Sequence, residues 1–70
     1  MTTLSDLEQM VGVIKHIGNG DPEAAHGNED NLRGVALKMI RDNPTDSVLV
    51  EHAARIALST DEIRFPRWCG

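Results

Sequence analysis

Aromatic residues and cysteines are scarce in this sequence. Its 70 residues contain one Phe, one Trp and no Tyr, so a core must be built from Leu, Ile, Val, Met and Ala. The single cysteine, Cys69, cannot form an internal disulfide, and one free cysteine is typical of a reducing cytoplasm. A chain this small forms one domain, residues 1–70, and its thin core gains from a partner or from self-association.

Long apolar runs and clustered positive charges are also missing. No apolar run approaches the ~18 residues that span a bilayer, and the N-terminus lacks the basic and apolar regions of a signal peptide. These absences predict a cytoplasmic protein outside the membrane. The net charge is −4, and only Arg64 and Arg67 form a local basic pair. Because phosphate contacts need clustered Lys and Arg, the charge argues against nucleic acid as a partner.

What is present is a sequence with helical periodicity. Helix one is predicted over about residues 5–17, because its apolar residues recur at helical spacing. Ser5 and Glu8 have the spacing of a capping box, and Thr3 with Asp6 is a rival start two residues earlier. Gly18 is expected to end the helix in the left-handed conformation. The predicted apolar stripe consists of Leu7, Met10, Val11, Ile14 and Ile17, widened by Val13.

Helix two is predicted over residues 22–42, since Asp21-Pro22 is a strong helix start and Asn43-Pro44 a strong stop. A break at Gly27 is the alternative, but the apolar stripe keeps its phase across that glycine and favours one helix. Gly27 and Gly34 share a face. They indicate either close approach of another backbone or an exposed, slightly weakened helix face.

Helix three is predicted over residues 46–58, capped by Thr45 or Asp46, with small residues that suggest close packing. One helical turn is expected after Ser59, and an extended tail follows because Pro66 blocks a helix. The fold class is therefore all-α: a compact three-helix domain with a short helical turn and a C-terminal tail. The predicted stripe of helix three is Leu49, Ala53, Ile56 and Ala57, broadened by Val50 and Ala54.

Polar residues interrupt the apolar face of helix two. At about 100° per residue, Asn28 and Glu29 project onto that face, and His26 and Arg33 project onto its edge. They are candidate partner contacts, or members of a polar network that specifies the fold. His26 with Asp30, and Glu29 with Arg33, also have the i,i+4 spacing of surface pairs worth about 0.2–0.5 kcal/mol each.

A metal site is the alternative interpretation of the same helix. Glu23 and His26 have the Glu-x-x-His spacing of di-iron bundles, and Glu29 lies one turn further on. The motif occurs once, so a second copy would have to come from a symmetric dimer. His52 projects within the helix-three stripe, as a core-edge residue or as a pH-sensitive contact. His16 projects away from the helix-one stripe and is expected to be exposed.

All aromatic residues lie in the tail, which contains Phe65, Arg67 and Trp68. They predict closure of the open end of the core, an interface anchor, or both, because Trp and Arg are favoured in binding hot spots. Helix two joins helix three through a short turn, as in helix-turn-helix regulators. Helix three, however, offers only Arg55 for reading bases and carries Glu51, so this is the second alternative.

Three segments carry a family resemblance: DPEAAHG at residues 21–27, ED at 29–30 and FPRWC at 65–69. With them, most of the chain resembles a family of small uncharacterised proteins of actinobacteriophages, mycobacteriophages among them, and of actinobacteria. The resemblance brings no catalytic residue. It implies a phage or prophage accessory protein that acts in a bacterial cytoplasm.

The predicted function is a small non-enzymatic protein-interaction module. The sequence has no Ser/His/Asp arrangement, phosphate loop or Cys/His metal pattern that would indicate catalysis or a cofactor. The expected partner is a host or regulatory protein, or a second copy in a homodimer. The predicted contact residues are His26, Asn28, Glu29, Arg33, Arg67 and Trp68.

Overall fold

Three α-helices joined by short connections make up the described part of this computed structural model, which covers residues 3–18 and 20–64. Helix α1 spans Leu4–Ile17, α2 spans Pro22–Asp42 and α3 spans Ser47–Ser59. A 3-10 turn at Thr60–Glu62 follows α3. The predicted all-α, three-helix fold with a helical turn is confirmed. The tail from residue 65 onward lies outside the described residues.

The start of α1 corrects one prediction. Thr3, not Ser5, is the N-cap: its Oγ1 accepts the Asp6 N–H at 3.2 Å, and Asp6 Oδ2 accepts the Thr3 N–H at 2.8 Å. This start brings Leu4 into the first turn, where it packs against the core. Side-chain burial therefore decides between two capping boxes of equal spacing.

The end of α1 corrects the prediction that Gly18 is left-handed. Gly18 has φ −41° and ψ −69°, which is right-handed, and no glycine among the described residues has a positive φ. The chain stays right-handed because the Asp21 N–H donates to the Ile17 carbonyl at 2.8 Å, which closes the connection to α2. Gly18 is buried, so the absence of a side chain suits this position.

Helix α2 is continuous through Gly27, as predicted. Asp21 caps it by accepting the Ala24 N–H at 3.1 Å, and Pro22 occupies its first turn. A Cβ placed on Gly27 or on Gly34 would meet nothing within 4 Å, apart from chain neighbours and the helix's own backbone. No other backbone among the described residues approaches these glycines closely, so the exposed-face interpretation is the one observed.

Helix α3 is capped by Asp46, whose Oδ1 accepts the Leu49 N–H at 3.1 Å. Ser59 leads into the predicted extra turn. Its hydroxyl donates to the Ile56 carbonyl within α3, and its side chain makes no capping hydrogen bond to the 3-10 turn. His52, expected at the core edge, is exposed. The buried side of α3 is centred on Ala53 and Ala57, and His52 lies about 100° away from Ala53 around the helix.

The core lies between the three helices and is aliphatic. Val13, expected to widen the α1 stripe, is 48% exposed because it lies about 100° from buried Ile14. Half of the buried hydrophobic residues are alanines, so the helices approach one another closely. The buried hydrophobic residues are Leu7, Ile14, Ala25, Leu32, Ala36, Met39, Ala53 and Ala57.

Candidate functional site

Glu29 is buried on the core side of α2. Its side chain is 1% exposed, as its projection onto the apolar face predicts. A carboxylate in such a place needs compensating charge or hydrogen bonds. Arg33, one turn further along α2, brings its Nη2 to 3.7 Å from Glu29 Oε2. The sequence offers Glu29 as a contact residue, whereas the structure buries its carboxylate beside the Arg33 guanidinium.

Arg33 joins this buried carboxylate to the surface. Its Nη2 lies 2.7 Å from Asp61 Oδ1 in the 3-10 turn, and its side chain is 37% exposed. The Nε atom is buried, and no hydrogen-bond acceptor for it exists among the described residues. A buried unsatisfied donor costs about 1–3 kcal/mol. Two carboxylates therefore hold the Arg33 guanidinium in place, while its Nε–H group is buried without a hydrogen-bond acceptor among the described residues.

His26 and Asn28 lie on α2 just before Glu29. His26 Nδ1 is 3.5 Å from Asp30 Oδ2, which confirms the predicted i,i+4 pair. Asn28 uses its amide internally, because Nδ2 donates to the Ala24 carbonyl at 2.8 Å. Of the four predicted contact residues on α2, His26 and Arg33 are therefore partly exposed, Glu29 is buried, and the Asn28 amide is bonded within the helix.

The other predicted site residues fall into two groups. Glu23 is exposed, and the described residues contain no group of three His, Cys, Asp or Glu side chains arranged to hold a metal ion. Arg67 and Trp68 lie outside the described residues, as do Phe65 and Cys69. The structure thus brings together His26, Glu29 and Arg33 on successive turns of one helix.

An apolar groove between α2 and α3 is the feature that sequence reasoning missed. It has a volume of about 280 Å³, and Leu37 and Leu58 at its edges are 66% and 60% exposed. Leu58 lies outside the stripe predicted for helix three, and Leu37 lies outside the stripe predicted for helix two, which consists of Ala25, Leu32, Val35, Ala36, Met39 and Ile40; an apolar residue outside such a stripe is the signal that the sequence offers. We call this the α2–α3 groove; its lining residues are Arg33, Ala36, Leu37, Ile40, Ala54, Ala57 and Leu58.

Ion pairs lie on both helices outside the lining of the groove. On α2, Arg41 lies one turn beyond Leu37; on α3, Glu51 lies two turns before Leu58. Asp42 raises the pKa of Arg41 through a hydrogen bond and its charge, so Arg41 stays positive at any working pH. Glu51 Oε1 lies 2.6 Å from Arg55 Nη2. Arg41 and Glu51 thus each have a partner of opposite charge on their own helix, and Arg33 pairs with Asp61.

Comparisons of this chain with protein-family models, with curated proteins and with solved structures found no match. Among the described residues, no helix is both long enough and apolar enough to cross a membrane.

Proposed function

We propose that this chain is a small non-enzymatic protein-binding module that presents the face formed by α2 and α3. The observation that carries the proposal is the α2–α3 groove, in which Leu37 and Leu58 are mostly exposed on either side of an alanine floor. Isolated exposed leucines are ordinary on protein surfaces. Two that flank one apolar groove offer another protein a place to bury an apolar side chain.

Arg33 supports the same interpretation. It lines the groove at the end where α3 passes into the 3-10 turn, and its carboxylate partners hold the guanidinium in place. An arginine that is already ordered loses less conformational entropy when a partner binds it, and arginine is enriched in binding hot spots. His26 lies two turns before Arg33 and extends the face along α2.

The biological setting follows from the family resemblance as part of this proposal. The protein would be a phage or prophage accessory factor in a bacterial cytoplasm, acting on a host or regulatory protein or on itself. Arg67 and Trp68 stay proposed partner contacts because of their residue types alone, since they lie outside the described residues.

Capture from a mycobacterial lysate tests the binding proposal when matched variants are compared. Leu37→Asp and Leu58→Asp place a charge on the groove. Val13→Asp and Val48→Asp place the same charge on valines that are 48% and 64% exposed and do not line it. We expect the groove variants to lose captured proteins that the control variants retain, with all four keeping their helical circular dichroism. Equal capture by all four would contradict the proposal.

A further inference from the structure

We infer that the C-terminal tail, residues 65–70, docks along the first half of α2, on the side that α3 does not reach. The inference goes beyond the proposed function, because it concerns a different surface of α2 from the α2–α3 groove. Helix α3 ends at Ser59, and the 3-10 turn that follows it pairs with Arg33 through Asp61. The part of α2 before Arg33 therefore has no α3 beside it.

Burial along α2 shows that this first half is nevertheless covered. His26 and Leu37 are eleven residues apart, which is about three turns, so they lie on nearly the same side of the helix. Leu37, beside α3, is 66% exposed, whereas the His26 side chain, beyond the end of α3, is 25% exposed. Glu29 and Ile40 have the same spacing, and Glu29 is buried while Ile40 is half-buried. The half of α2 without α3 is thus the better covered one.

Elimination leaves the tail as the segment that provides this cover. The 3-10 turn lies at Arg33, about 10 Å along α2 from His26. Helix α1 packs against both other helices, so it lies across the core from the outer side of α2. Residues 1–2 adjoin the start of α1, about 20 Å from its end beside α2, and position 19 is a single residue in a connection. Residues 65–70 continue from the 3-10 turn and have the length that is needed.

The tail matches this surface in reach. An extended chain advances about 3.3 Å per residue, so Trp68 can lie about 17 Å from Ile63, whereas residues 22–29 of α2 span about 11 Å. Ile63 packs against the core, so the tail starts close to the surface that it would cover. Pro66 keeps the tail from forming a helix. Phe65 and Trp68 supply the apolar area that a chain with no other aromatic residue has for this purpose.

Charge favours the same placement. Residues 22–30 contain no Lys or Arg, and they carry three carboxylates, those of Glu23, Glu29 and Asp30. Even with Arg33 paired to Glu29, this half of α2 is negative. The tail contains Arg67 and no Asp or Glu, so its side chains are attracted to this half of α2. The lining of the α2–α3 groove, in contrast, contains Arg33 and no carboxylate, so it does not attract Arg67.

A nitroxide label on Cys69, the only cysteine, tests the placement in the full chain. Apart from its neighbours in sequence, we expect the label to broaden the amide signals of residues 23–30 most strongly. The amide of Leu37 lies about 21 Å along α2 from that of residue 23 and should keep most of its intensity. Strongest broadening at Leu37 and Leu58 would place the tail in the groove, and no broadening beyond the label's neighbours would leave it undocked; either result overturns the inference. Broadening of an unlabelled copy in a mixture, in place of the labelled chain itself, would overturn it as well.

Removal of the aromatic rings tests whether the tail supplies the cover. Phe65→Ser combined with Trp68→Ser should speed amide hydrogen exchange at residues 26–32 by about tenfold or more, because α2 opens locally more easily without a packed tail. Val48→Ser is the control, since Val48 is 64% exposed on α3, and should leave these rates unchanged. Unchanged rates in the double variant would overturn the inference. The label experiment uses the unaltered tail, so it decides the placement even if the double variant does not fold.

Discussion

Arg33 Nη2 lies 2.7 Å from Asp61 Oδ1, and this contact joins the middle of α2 to the turn that follows α3. The two residues are 28 positions apart in the sequence. The same guanidinium also lies 3.7 Å from buried Glu29. One side chain therefore pairs with an exposed carboxylate and with a buried one. The buried pair is expected to contribute more to the free energy of unfolding than the exposed pair.

The two roles can be separated by substitution. Asp61→Ala should lower the free energy of unfolding by less than about 1 kcal/mol, because Asp61 is exposed and its ion pair is screened by salt. Arg33→Met keeps the aliphatic stem but removes a cation from beside Glu29, and should cost about 1–3 kcal/mol. Urea unfolding at low and high salt measures both. Equal losses for the two variants would show that the link to Asp61 dominates.

The capping of α1 gives a second prediction. Thr3→Ala removes the hydroxyl that accepts the Asp6 N–H and should cost about 1 kcal/mol. Ser5→Ala is the matched control, since Ser5 is exposed within the first turn and should change stability by less than about 0.5 kcal/mol. Thermal unfolding followed by circular dichroism compares them. A larger loss of stability for Ser5→Ala than for Thr3→Ala would show that Ser5 is the N-cap and that α1 begins later.

The exposed glycine in α2 gives a third prediction. Gly27→Ala should raise the free energy of unfolding by about 0.5–1 kcal/mol, because alanine is the better helix former and its Cβ would meet nothing within 4 Å. Denaturant unfolding measures the gain. A loss of stability would mean that another surface, such as a bound partner, lies against this side of the helix.

Core and groove leucines should respond differently to truncation. Leu32→Ala removes a side chain that is 0% exposed and should cost about 2–5 kcal/mol. Leu37→Ala, at a position 66% exposed, should change the stability of the monomer by less than about 0.5 kcal/mol. The comparison is made by urea unfolding at low protein concentration. A large cost for Leu37→Ala under those conditions would place this leucine inside the monomer.

The helices of this protein were predictable because their signals are local. Asp21-Pro22 and Asn43-Pro44 punctuate the chain at the observed ends of α2, and the phase of the apolar stripe carries that helix through Gly27. The burial of Glu29 was also predictable, since a helical projection places it on the apolar face.

The errors arose where distant parts of the chain decide. The choice of Thr3 over Ser5 goes with the packing of Leu4 against the core, whereas the right-handed Gly18 is an exception, since it goes with a local hydrogen bond from the Asp21 N–H to the Ile17 carbonyl. The α2–α3 groove is a property of two helices together, so neither Leu37 nor Leu58 indicates it alone. The contact between Arg33 and Asp61 is likewise set by tertiary packing and not by spacing.

Because the residues between α2 and α3 are alanines, the distance between these helices is set by their backbones and not by large side chains. A bulkier residue at Ala36 or Ala57 would push the two helices apart and carry Asp61 away from Arg33. The interior alanines therefore tolerate enlargement as poorly as the interior leucines tolerate truncation.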